Sequence, residues 1–121
     1  MSDEQIYSIL KQLDKVSGII GSVIISYPEG VPLASTWVKE LKAIIASGLV
    51  SSVKIILDNF YKRFKKSQLT KVYIENKNGN YIIMNAGSKS IIVSFLTKYA
   101  NIPICSFEMK NATIKIEKLL D

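Results

Sequence analysis

Few groups in this chain could do covalent or acid–base chemistry, and their spacing limits what they could do. None of the 121 residues is a histidine. That removes Ser-His and Cys-His nucleophile pairs and every histidine-containing metal set. The single cysteine, Cys105, stands near a predicted helix start, where a thiol pKa can be lowered, but the preferred reading is a buried structural thiol. The single arginine, Arg63, could be supplied in trans to a phosphoryl-transfer site as an arginine finger. It sits among lysines on an ordinary helix end, which favours a solvated cation instead. The acids are scattered, and no two carboxylates share a predictable site. Gly79 and Gly87 do not make a phosphate-cradling loop, and no G-x-x-x-x-G-K-[ST] run exists. No catalytic residue, metal-ligand set or cofactor is therefore expected, and the chain reads as non-enzymatic.

What remains is chemistry of contact. The formal net charge is +6, and of the 16 basic residues all but Arg63 are lysine. That skew argues against a specific nucleic-acid reader, in which arginine supplies bidentate contacts. The densest basic run is Tyr61-Lys-Arg-Phe-Lys-Lys66, with Lys71 soon after. Cations suit the negative end of a helix dipole. Lys62, Arg63, Lys65 and Lys66 are also candidates to attract an acidic protein partner or, weakly, an anionic membrane surface. One cysteine cannot close an internal disulfide, so a reducing, cytoplasmic setting is expected. Ser2, Asp3 and Glu4 lack the basic start of a secretory leader. The apolar stretch from Ile44 to Leu57 contains Ser47, Ser51, Ser52 and Lys54, and is too short and polar to span a bilayer.

These residues must be positioned by a fold, and its elements follow from periodicity. Ile6, Ile9, Leu10 and Leu13 recur at helical spacing and predict a helix over 3–15, with Ser2 as N-cap. The run from Gly18 to Ser26 is β-branched and apolar on both faces, so it predicts a strand covered on both sides. Tyr27-Pro-Glu-Gly30 is a turn, and Val31 to Ser35 a short return strand whose Pro32 suits an edge. A long helix is predicted from Val38 to about Phe64. In 69–75, Val72 and Ile74 alternate with Lys71, Tyr73 and Glu75, as in a half-buried strand. An Asn-Gly-bearing hairpin loop over 76–80 leads to strands at 81–86 and 90–96. The closing helix, about 103–120, is expected to bury Ile104, Phe107, Ala112, Ile116 and Leu119, with Asn101 or Ser106 as cap. The order α-β-β-α-β-β-β-α predicts a single α/β domain over 1–121. It is a three-layer sandwich: a five-stranded, mostly antiparallel sheet with the long helix on one face and the terminal helices on the other.

The long helix is apolar over too wide an arc for a single contact. On a helical wheel Glu40, Ser47, Ser51, Lys54, Asp58 and Lys65 share a sector roughly 80° wide. Val50, Val53, Leu57, Phe60 and Phe64 suit packing on the sheet. An adjoining arc holds Leu41, Ile44, Ile45, Gly48, Ser52 and Ile55, where Gly48 and Ser52 would let another helix backbone come close. A two-fold axis uses one patch twice, so a second copy of this chain is the simplest occupant. Cover by the chain's own loops is the alternative, and the sequence leaves open which arc faces which way. At 1.5 Å per residue the helix spans about 40 Å, against a sheet roughly 24 Å wide, so part of it should overhang.

Three stretches resemble the Roadblock/dynein light chain family. They are Val16-Ser-Gly-Ile-Ile-Gly-Ser-Val-Ile-Ile-Ser with Glu29-Gly-Val-Pro-Leu-Ala-Ser35; the Ala/Ser/Ile-rich helix from Glu40; and Tyr99-Ala-Asn-Ile-Pro-Ile with the ending Ile116-Glu-Lys-Leu-Leu. The likeness covers nearly the whole chain, although Pro28 departs from the acidic or glycine residue expected in the first turn. The resemblance implies a prokaryotic or archaeal member that dimerises through the long helix and an edge strand. It also implies a scaffold or regulator of a Ras-like small GTPase. Longin or profilin-like modules and PAS or GAF-like sensors are the rival readings. A sensor needs a cavity with polar anchors, and the apolar positions here look fully occupied.

Overall fold

The computed structural model describes residues 2–27, 29–36, 56, 59, 62–63, 70–77 and 79–120. Helix α1 (Ser2–Leu13) leads into β1 (Ile19–Ser26) and β2 (Pro32–Ser35). Later come β3 (Lys71–Asn76), β4 (Gly79–Asn85), β5 (Ser90–Leu96) and helix α2 (Ile102–Leu120). The strands form one sheet in the order β2-β1-β5-β4-β3, and every neighbouring pair is antiparallel. Mostly antiparallel pairing was expected from the short turns, and the structure agrees.

Side-chain alternation sorts the sheet into two cores. Ile24, Ile82, Met84, Ile92 and Leu96 point to the face carrying α1 and α2, where Ile6, Leu10, Cys105, Met109 and Ile116 meet them. Val23, Ile25, Ile83, Ile91, Val93 and Phe95 form a second buried cluster on the opposite face, with Val72, Ile74 and Tyr81 packed against it. The central strands are thus apolar on both sides because both sides are buried. A bulge adjusts the alternation: Ile19 faces Leu96 and Gly21 faces Phe95, so Ile20 is an extra residue with no partner across the ladder. It lets Ile19 and Leu96 join the helix-side core together.

The turns follow local chemistry. Gly30 takes a positive φ of 79°, its amide donates to the Ser26 carbonyl at 2.9 Å, and Ser26 N–H donates back to the Val31 carbonyl at 2.8 Å. Asn101 caps α2, its Oδ1 accepting the Ile104 amide at 3.1 Å, while Ser106 lies inside the helix. The expected Asn-Gly turn is displaced: Gly79 pairs with Asn76 and opens β4.

The buried face of α2 differs from the expected one. Cys105, Met109, Ala112, Thr113 and Ile116 face the sheet, whereas Ile104 and Phe107 are 53% and 64% exposed. At 100° per residue Ile104 and Phe107 lie roughly 120° and 180° from the middle of that face. Ala112 and Ile116 were expected on the buried side and are there.

Candidate interaction site

An antiparallel sheet left open at both sides has two edges, and here they differ. The β2 edge is only four residues long, begins with Pro32, and shifts register against β1 between Ile24 and Ile25. These features blunt an edge against pairing. The β3 edge is six residues, Lys-Val-Tyr-Ile-Glu-Asn, with no proline. Its register against β4 is regular from Lys71↔Met84 to Asn76↔Gly79. Val72 and Ile74 are half-buried on the second core, which anchors the strand. Behind them Tyr81 meets Phe95 edge to face, with ring centroids 5.0 Å apart. Lys71, Tyr73 and Glu75 are exposed, and Lys71 Nζ donates to Ser106 Oγ on α2 at 3.3 Å.

Of the expected contact residues, Lys62 and Arg63 are helical and exposed, as are Ile56 and Asn59. Leu41, Ile44, Ile45, Gly48, Ser52 and Ile55, together with Lys65 and Lys66, lie outside the described residues. Cys105 is fully buried, its Sγ directed to the Ser17 carbonyl at 3.7 Å, and burial pushes its thiol pKa up. That is the structural thiol expected, and the lowered pKa that a helix start could give is not found.

One polar cluster was not legible in the sequence. Ser22 and Ser94 face each other across β1 and β5, fully buried, with hydroxyl oxygens 2.7 Å apart. Ser22 Oγ donates to Asp14 Oδ1 at 3.2 Å, just beyond the end of α1. Thr36 Oγ1 accepts the Ser22 amide at 2.9 Å, and the Thr36 amide donates to the Ser22 carbonyl at 3.0 Å. Ser22 and Ser94 are buried within the sheet, so neither hydroxyl is presented to a substrate. The cluster ties α1, β1, β2 and β5 together.

Desolvation raises the Asp14 pKa above its ordinary value, against the hydrogen bonds from Thr36 and Ser22 and the charge of Lys11, which lower it. A raised folded-state pKa means the group's contribution to stability is complete below the ordinary carboxylate range. It is lost as pH rises through the folded value. Asp14→Asn keeps an acceptor for Ser22 and carries no charge. At pH 7 it should melt at or a few degrees above the wild type, and the difference should close as pH falls toward about 4. Thermal melts from pH 3 to 8 check this; a variant several degrees less stable at pH 7 would contradict it.

The described residues form a five-stranded antiparallel sheet with α1 and α2 on one face and, at one side, β3, which pairs with β4 alone among the described strands. The Roadblock/LC7 domain model matches residues 5–94, and the chain belongs to that family. Solved structures agree on the fold. Myxococcus xanthus MglB superposes with a TM-score of 0.83 at 12% identity, over 98% of this chain and 92% of its own. The gliding protein MglB of Thermus thermophilus gives 0.80 at 14%, covering 98% and 90%. A Roadblock/LC7 domain from Streptomyces avermitilis gives 0.81 at 16%, covering 94% and 96%. At such identities the likeness is one of fold. No curated protein matches the chain significantly in sequence. Among the described residues no helix is long and apolar enough to cross a membrane.

Proposed function

We propose that the whole chain acts as one non-enzymatic Roadblock module that pairs with itself and presents the paired surface to a Ras-like small GTPase, as a scaffold or regulator. The observation that carries the reading is the self-complementary edge of β3. Two copies pairing antiparallel about Tyr73 place Lys71 opposite Glu75 of the second copy, Val72 opposite Ile74, and Tyr73 opposite itself. Each cross-strand pair is then favourable: opposite charges, two β-branched residues, two aromatics. Continuing the sheet in this way suits the helix expected over 38–64, whose second apolar arc from Leu41 to Ile55 calls for a second copy. The exposed Lys62 and Arg63 belong to the basic segment that would border this surface.

Sedimentation equilibrium tests the platform. The wild type should dimerise at micromolar concentration. Lys71→Glu sets like charges opposite Glu75 at both ends of the strand pair and should weaken the dimer about tenfold. Lys71→Glu combined with Glu75→Lys should restore it. A wild-type monomer at about 100 μM, where association would supply only 5–6 kcal/mol, would remove the platform.

A further inference from the structure

The outward face of α2 bears on assembly. Ile104, Phe107 and Ile114 are 53%, 64% and 44% exposed, on the side of α2 opposite the sheet. With the half-buried Asn111 and the exposed Lys118 they fall at alternating spacings of three and four. That is the seam of a coiled coil, and a polar residue within such a seam fixes register. Glu108 and Lys115 flank the seam on one side, Lys110 and Glu117 on the other. Each flank thus carries one acid and one base.

We propose that this seam binds the same helix of a second copy, antiparallel, as a contact separate from the β3 edge. In an antiparallel pair like flanks face each other. Setting Asn111 opposite Ile114 of the second copy brings Glu108 to Lys115, Lys110 to Glu117 and Phe107 over Lys118, each twice by symmetry. The last contact has the geometry of a cation–π pair. Sliding one helix by a heptad in either direction sets Glu108 against Glu108 and Lys110 against Lys110, or Lys115 against Lys115 and Glu117 against Glu117. A parallel pair sets Lys110 against Lys115. The charges therefore favour one register and one orientation, which commits the surface to another copy of this chain. The pairing edge of β3 lies at the side of the sheet and the seam on the side of α2 turned away from the sheet, so the two contacts together would join dimers into larger assemblies.

The experiment is sedimentation velocity on the full chain at roughly 0.5 mM, a concentration suited to a weak contact. The wild type should exceed the mass of a dimer. Lys110→Glu should weaken this association about tenfold, and adding Glu117→Lys should restore it. These side chains are exposed, so the melting temperature should stay unchanged. In the Lys71→Glu background, where the β3 pair is weaker and the Lys71–Ser106 bond is lost, the α2 contact should persist and respond to the same charge swap. Failure of the β3 dimer is thereby distinguished from failure of this one. A wild-type mass that stops at the dimer and is unmoved by Lys110→Glu overturns the proposal. So does association that ignores Lys110→Glu, or that Glu117→Lys does not restore.

Discussion

Replacing Gly18 by alanine should destabilise the fold by about 3 kcal/mol and lower the melting temperature by roughly 10 °C. Gly18 has a φ of 97°, in the left-handed region that favours glycine, and stands at the entry to β1. An alanine there carries a backbone cost of about 1–2 kcal/mol. A Cβ at this position would also sit 2.5 Å from Ala100 Cβ and 2.9 Å from Ala100 Cα. The second atom is backbone, so relief requires moving the segment that leads into α2. That segment is held by the Thr97 amide donating to the Gly18 carbonyl at 2.9 Å and by the Asn101 cap. Crowding of this kind costs about 1–3 kcal/mol more. Urea and thermal unfolding check the sum; a shift below about 2 °C would show that the crossing of β1 and the 97–100 segment relaxes freely.

Converting Lys62, Arg63, Lys65 and Lys66 together to glutamate should slow association with the proposed GTPase partner at low salt by an order of magnitude or more. The change moves the formal net charge from +6 by eight units, to −2. Lys62 and Arg63 are exposed on helix, so their charges act through solvent. Rim charges steer encounter more than they hold a formed complex, and their effect is screened by salt. Wild-type association should slow as salt rises, while the variant's should quicken, with dissociation rates nearly equal. The dimer and its melting temperature should hardly move. Stopped-flow association at two salt concentrations reads this out; a variant that binds as fast as wild type at low salt would make the segment a solvated helix end.

Strand periodicity was the most legible part of the sequence. β1, β4 and β5 are dominated by β-branched and aliphatic residues, and only burial on both faces accommodates them. The alternation of Val72 and Ile74 with Lys71, Tyr73 and Glu75 marked β3 as half-buried, but only the strand order places it at the edge of the sheet. Less legible was the outer side of α2. Apolar residues ring that helix, and periodicity alone could not say that Cys105 and Met109, rather than Ile104 and Phe107, face the sheet. The Asp14–Ser22–Thr36–Ser94 tie was hidden for a different reason. Its members are brought together by the β1–β5 register and the end of α1, and no local pattern encodes that meeting. Ser22 and Ser94 alone gave a faint signal, as polar residues at inward positions of apolar strands.

The most direct test of the proposed function is equilibrium binding of the wild-type chain to the small GTPases of its own organism, each loaded in turn with GDP and with a non-hydrolysable GTP analogue. A regulator acts only through unequal affinity for two states. At least one GTPase should bind about tenfold or more tightly in one nucleotide state, a coupling of roughly 1.4 kcal/mol. Equal affinity in both states for every GTPase, or no binding in either, would contradict it.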